Sequence, residues 1–175
     1  MNEFVVLVDE NDHALGEMEK MEVHEKGLLH RAVSVLVFNA NNELLLQQRA
    51  LGKYHSGGLW TNTCCSHPRP EERTVVAAER RLIEEMGMEL KLDFAFSFIY
   101  AANLDNDLTE NELDHVFIGR SDETPHINTE EAMAFQWKSI EKIKSEMEIN
   151  PEKYTAWFRI LILEHYEQIL KAIQS

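Results

Sequence analysis

Apolar residues fall in short, separated blocks whose spacing changes character along the chain. Residues 4–8 (Phe-Val-Val-Leu-Val) form a brief β-rich run, and Asp9-Glu10-Asn11-Asp12 supplies turn formers behind it. That order predicts a strand and a turn. A polar stretch follows over 17–26. Residues 32–38 (Ala-Val-Ser-Val-Leu-Val-Phe) read as a buried strand and 39–42 (Asn-Ala-Asn-Asn) as a turn. Residues 43–49 return and end on Arg49. Together these predict a hairpin. A loop over 50–58, loosened by Gly52, Gly57 and Gly58, carries Lys53.

The next block has a helical period. Val75, Ala78, Leu82 and Met86 recur on one stripe, with Thr74 as the expected N-cap and Gly87 as the stop. Glu72, Arg80, Arg81, Glu84 and Glu85 lie off that stripe. Strands are expected over 94–101, 115–119 and 134–137, with an acidic loop over 103–112. Ser139 is expected to cap a short helix, and a final helix to run from 151 to 173. Strands, one central helix, more strands and terminal helices make an α+β chain, expected to form one domain over 1–175.

Composition narrows the partners. With 44% apolar and 27% charged residues, the chain is globular rather than disordered. No apolar run approaches the roughly 20 residues that span a bilayer. Met1-Asn2-Glu3-Phe4 lacks the basic start of a secretory signal, and two adjacent cysteines make no disulfide framework. A cytoplasmic protein with reduced thiols is expected, without nucleic-acid or membrane partners, because a net charge of −14 repels both. A small anionic ligand stays open, since Arg49, Lys53, Arg80 and Arg81 could converge locally.

Three groups of residues carry chemistry. Trp60-Thr61-Asn62-Thr63-Cys64-Cys65-Ser66-His67-Pro68 holds both cysteines beside a histidine. Free cysteines are often small packing residues, but an accessible thiol in a polar segment can be reactive. The spacing Glu72-x7-Arg80-x3-Glu84-Glu85-x-Gly87 puts carboxylates on adjacent helical turns. They suit Mg²⁺ shared with substrate phosphates, or else a solvated face of Arg–Glu pairs. Glu110 and Glu112 sit two apart at the start of a strand, so both side chains point one way. With His24, His30 and His67 they offer three imidazoles and two carboxylates to a divalent metal. His13, His55, His115, His126 and His165 read as ordinary surface or hydrogen-bonded core histidines.

Arg80-Arg81-Leu82-Ile83-Glu84-Glu85-Met86-Gly87-Met88 resembles the tail of the Nudix signature, with two departures. Arg81 stands where the signature has its first glutamate, and Ser66 where its leading glycine falls. A carboxylate cluster interrupted by arginine suits holding a diphosphate better than cleaving one.

A wider resemblance covers most of the chain. Lys20, His24, His30, Arg49 to Lys53, the Trp60–Pro68 segment, Tyr100, Glu110-Asn111-Glu112 and Trp157 occur in the order and spacing of type I isopentenyl-diphosphate isomerases. The resemblance implies a Nudix-like mixed sheet between helices, with an added N-terminal β segment and a C-terminal helix. It implies interconversion of isopentenyl and dimethylallyl diphosphates through a tertiary carbocation, with Cys65, Glu112 and Tyr100 catalytic. Lys20, Arg49, Lys53, Arg81 and Trp157 would bind substrate. His24, His30, His67, Glu110 and Glu112 would hold one divalent metal (Mn²⁺, Zn²⁺ or Mg²⁺). Glu85 and the Cys65 carbonyl would hold a diphosphate-associated Mg²⁺. Cys64 is left as a packing residue, and a monomer or weak homodimer is expected. The rival expectations are a Nudix hydrolase of a diphosphate-containing substrate and a non-catalytic metal- or ligand-binding module.

Overall fold

Strand β3 (His30–Phe38) is the hub of the sheet in the computed structural model, which describes residues 2–175. It runs parallel to β8 (Thr109–Arg120) over nine positions, from His30 opposite Glu112 to Phe38 opposite Arg120. Its other edge meets β1 (Phe4–Val8) at Leu7 and β6 (Cys64–Ser66) at Val33, Ser34 and Val35. A strand covered on both faces needs an almost unbroken apolar run, which residues 32–38 provide. β1 pairs antiparallel with β2 (Ala14–Glu19), and β7 (Asp93–Asn103) pairs antiparallel with β8.

The hairpin expected over 32–49 forms only at its turn. β4 (Glu43–Arg49) meets β3 at the single pair Phe38–Leu44 and then diverges. It pairs instead with β9 (Ala132–Ser139) from Glu43–Ser139 to Arg49–Ala132, and with the two-residue β5 (Trp60–Thr61). The divergence carries Arg49 away from β3, and the segment 60–66 fills the gap, Thr63 Oγ1 accepting from Val37 N and donating to the Leu45 carbonyl.

The period of two along β3 assigns each residue to a face. Val33, Val35 and Val37 pack with Ala78, Leu82 and Met86 of α2 (Thr74–Met86). Leu36 and Phe38 pack on the other face with Ile143 of α3 (Ile140–Ile149), Phe158 and Leu161 of α4 (Ala156–Glu164), and Ile169 of α5 (Tyr166–Gln174). Helices therefore cover both faces, as expected of the Nudix-like α+β class. Among the described residues no helix is long and apolar enough to cross a membrane.

Four local expectations change. The polar stretch over 17–26 finishes β2 and forms α1 (Lys20–Lys26), whose N-cap is the Glu19 side chain. Arg73, with extended backbone and no side-chain bond, occupies the cap of α2, so Thr74 is the first helical residue. The acidic loop is short, because β8 already begins at Thr109. The single final helix becomes a 3-10 turn (Pro151–Lys153), α4 and α5, broken at His165. The break sets the His165 ring 4.3 Å from Phe98 and lets α5 follow β7. Ser139 does cap α3, accepting from Lys142 N. Gly87 ends α2 at φ +64°, where an added Cβ would lie 2.6 Å from the His126 carbonyl oxygen. Only glycine fits there without strain.

Candidate active site and metal centre

The site lies where α1, β3, β6 and β8 converge. His24 is on α1, and its Nδ1–H donates to the Lys20 carbonyl at 2.7 Å. His30, the first residue of β3, donates Nδ1–H to the Leu28 carbonyl at 2.9 Å. Both bonds leave Nε2 facing inward, the tautomer that backbone carbonyls impose on metal-ligating histidines. Glu110 and Glu112 share a face of β8, with Glu112 directly opposite His30. Nε2 of His30 and of His67 stand 3.0 Å and 2.6 Å from Glu112 Oε2. His24 Nε2 lies 3.4 Å from Glu110 Oε2, and neither atom has a hydrogen-bond partner.

One ligand atom from each of these five residues lies within 4.8 Å of all the others. Buried polar atoms without partners are costly, and a divalent cation accepting lone pairs from this set removes that cost. The residues present thus fit a divalent metal. Burial pushes the Glu110 carboxyl well up, reinforced by Glu112 beside it. Burial would raise Glu112 too, but His67 and His30 hold it well below the usual carboxylate range.

Cys64 and Cys65 are separated by the alternation of β6. Cys64 pairs with Val35 and faces α2, whereas Cys65 pairs with Ser34 and faces the opposite core. The Trp157 Nε1–H donates to Cys65 Sγ at 3.0 Å, and the thiol donates to Asn62 Oδ1 at 3.0 Å. Burial pushes the Cys65 thiol up strongly, and the carboxylate of Asp114 adds to it. Cys64 is more than a packing residue, because its thiol donates to Glu85 Oε2. Glu85 itself is buried, contrary to its expected place outside the apolar stripe. Glu84 does form the ion pairs at three- and four-residue spacing that the alternative reading of this helix described, with Arg81 and Arg80, whereas Arg80 also reaches back to the half-buried Glu72 ahead of the helix.

One cavity of about 640 Å³, counting its open mouth, joins Cys65, Glu112 and Trp157 to Lys20, Arg49, Lys53, Arg81 and Glu85. Tyr100 is not in its wall. It stands behind Glu112 and donates its hydroxyl to Oε1 at 2.5 Å. The Arg49 guanidinium lies 5.2 Å from the Trp157 ring and donates to the His55 carbonyl at 3.1 Å. The Nε atoms of Arg49 and Arg81 are buried without partners. Orphaned cationic donors lining one cavity fit an absent anion.

Three residues of the site escaped sequence reasoning. His55 is buried with Nε2 3.4 Å from Glu110 Oε1 and its ring edge-on to Trp157 at 5.6 Å. It is a hydrogen-bonded core histidine, with Nδ1 3.1 Å from Ser56 Oγ, but nothing in its glycine-rich loop signalled its place beside Glu110 and Trp157. Asp114 continues the face of Glu110 and Glu112, so the period of two could have found it. Its Oδ2 accepts from Ser34, which lies 3.7 Å from Cys65 Sγ, and burial pushes it up to about 7. Glu131 bonds two of the cavity's cations. His115 reaches Asp12 instead and stays outside the cavity.

Comparison with known proteins gives the class first: residues 28–158 match the NUDIX domain family. The fold is similar to that of DR0079 from Deinococcus radiodurans, with a TM-score of 0.78 over 93% of this chain and 98% of the other at 19% identity. It is also similar to the MutT protein from Methanosarcina mazei Go1, with a TM-score of 0.67 over 82% and 96% of the two chains at 22% identity. These likenesses concern the fold. In sequence, the chain is 52% identical over 173 residues to the isopentenyl-diphosphate Delta-isomerase of Pectobacterium atrosepticum, covering 98% of this chain and 97% of that one. It is 48% identical over 157 residues to isopentenyl-diphosphate Delta-isomerase 2 of Aromatoleum aromaticum, covering 90% and 83%. The chain belongs to the isopentenyl-diphosphate Delta-isomerase family of Nudix-domain proteins.

Proposed function

We propose that this protein interconverts isopentenyl and dimethylallyl diphosphates for isoprenoid biosynthesis. The observation that carries the proposal is one cavity bearing a thiol and a carboxylate, an indole and four cations. Moving the double bond one carbon along needs a proton added to an unactivated alkene and another removed from the neighbouring carbon. The intermediate is a tertiary cation that water would trap, so the acid and base must be positioned and water excluded. The carboxylates and thiol supply the first requirement, and Trp157 and the buried walls the second.

Glu112, with the Tyr100 hydroxyl on Oε1, serves as acid toward isopentenyl diphosphate, and Cys65 as base on the adjacent carbon. The reverse reaction exchanges the roles. Burial favours the thiol form of Cys65, and His67 and His30 favour the ionised form of Glu112, the pattern from which the reverse direction starts. One turnover from dimethylallyl to isopentenyl diphosphate leaves a thiolate and a protonated carboxyl, ready for the forward direction. The Trp157 N–H on Cys65 Sγ stabilises that thiolate. Its ring faces the cationic intermediate, an attraction of about 1–2 kcal/mol when desolvated.

Lys20, Arg49, Lys53 and Arg81 grip the diphosphate. His24, His30, His67, Glu110 and Glu112 would hold Mn²⁺, Zn²⁺ or Mg²⁺, and Glu85 with the Cys65 carbonyl would hold Mg²⁺ on the diphosphate. Bound there, the cations would withdraw charge from Glu112 and neutralise the diphosphate. The protein acts as a monomer or weak homodimer. A cytoplasmic location would keep the thiols reduced. A hydrolase lacks support, because Arg81 interrupts its carboxylate cluster.

The test is to incubate the protein with isopentenyl diphosphate and Mg²⁺ in heavy water and to follow the products by NMR. Deuterium-labelled dimethylallyl diphosphate is expected. Its absence overturns the proposal, and free phosphate would favour a hydrolase.

A further inference from the structure

Glu131 places a carboxylate inside a cavity otherwise equipped to hold an anion. Its Oε2 accepts from Lys53 Nζ at 2.6 Å, and its Oε1 lies 3.3 Å from Arg81 Nη2. Each oxygen is thus committed to one of the two cations. The three side chains are only 18–21% exposed, so solvent screens these pairs little. The backbone holds the arrangement in place. Glu131 N–H donates to the Asn128 carbonyl at 2.9 Å, and Asn128 N–H to the Glu85 carbonyl at 2.9 Å. Ala50 N–H donates to the Glu131 carbonyl at 3.0 Å, tying the Lys53 loop to the same point. Glu3, which pairs with Lys20 at 2.7 Å, contrasts with this. It is 66% exposed and free to swing into water.

The charges around Arg81 give Glu131 a consequence for ligand choice. The same Nη2 lies 3.5 Å from Glu85 Oε1, so this half of the cavity sets two carboxylates against two cations. A free diphosphate entering here meets Lys53 and Arg81 already engaged, with two negative charges at close range. A diphosphate that carries its own divalent cation brings the charge that those carboxylates lack.

We infer that Glu131 is a specificity-determining residue that makes the cavity select the metal-complexed diphosphate over the free anion. It does so by competing for Lys53 and Arg81 and by repelling an uncompensated trianion. The inference rests on the diphosphate-binding role given above to this cavity, and it concerns binding rather than turnover.

The experiment is calorimetric titration of the protein with inorganic pyrophosphate, in metal-free buffer and with excess Mg²⁺. Wild type is expected to bind well only with Mg²⁺. Glu131→Gln keeps the shape and removes the charge. It should bind metal-free pyrophosphate on the order of tenfold tighter, because a like charge a few ångströms away has gone. Its affinity with Mg²⁺ should move much less, and Glu131→Asp should keep the wild-type preference. An unchanged ratio between the two conditions in Glu131→Gln overturns the inference. So does loss of binding in both, since the carboxylate would then be building the clamp rather than opposing the ligand. Failure of wild type to bind pyrophosphate even with Mg²⁺ strikes instead at the diphosphate role of the cavity, and the inference falls with it.

Discussion

His30 and Glu112 lie directly opposite each other on the parallel strands β3 and β8, and their side chains meet with Nε2 3.0 Å from Oε2. Alone, such a pair is attractive only when the imidazole is protonated. With His24, His67 and Glu110 converging on it, it becomes part of a cation site. His30→Ala should therefore lower divalent-metal affinity by at least about tenfold, by the usual sensitivity of metal sites to their imidazoles. Metal content after competition with a chelator measures this. Undiminished content would remove His30 from the ligand set.

The two thiols should separate cleanly. Cys65 opens into the cavity and receives the Trp157 N–H, whereas Cys64 faces α2 and touches Glu85. Cys65→Ala should abolish isomerisation, a loss of roughly a thousandfold or more if a positioned proton-transfer group has gone. Cys64→Ala should keep most of it, with any change confined to the Mg²⁺ concentration required. Equal losses in a steady-state assay would mean that the wrong thiol carries the proton.

Acid should destabilise the metal-free protein through two of its buried imidazoles, His24 and His55. Burial pulls His24 down to about 4 and His55 to about 3, from an ordinary 6.5. Below 6.5 the unfolded chain takes up protons there and the folded one does not. Their contribution is full above 6.5 and is lost as pH falls toward 4 and 3. Asp114, raised to about 7, works oppositely, its burial penalty easing as pH falls below 7. Comparing wild type with His55→Asn isolates one term. The thermal advantage of wild type should shrink between about pH 7.5 and about pH 5. An advantage independent of pH across that range would show that His55 does not titrate as its burial requires.

Much of the architecture is legible in local pattern because it has local causes. The run over 32–38 could be a doubly covered strand because it is apolar at nearly every position. The stripe Val75, Ala78, Leu82 and Met86 could be the inner face of one helix because helical periodicity is a property of neighbours. Gly87 marked the helix end for the same reason. The hairpin over 32–49 shows where this stops. A turn is encoded by its own residues, but whether two strands stay paired depends on what else competes for their edges. Here β8 and β6 take β3, while β9 takes β4.

The sequence by itself determined the chemical inventory: two thiols, three converging histidines, paired carboxylates on a strand and a family pattern spanning most of the chain. Tertiary structure alone decided the direction in which each of these acts. The alternation of β6 turns Cys65 toward Trp157 and Cys64 toward Glu85, and pairing over 82 residues of sequence brings His30 to Glu112. It also decided the roles of His55 and Glu131, which no local pattern distinguishes from ordinary polar residues, and gave Asp114, whose place on the β8 face was legible, its buried partner Ser34. Their importance comes from burial and from charges distant in sequence. Those are properties of the assembled interior, where a carboxylate or imidazole without water must find its partner across the fold.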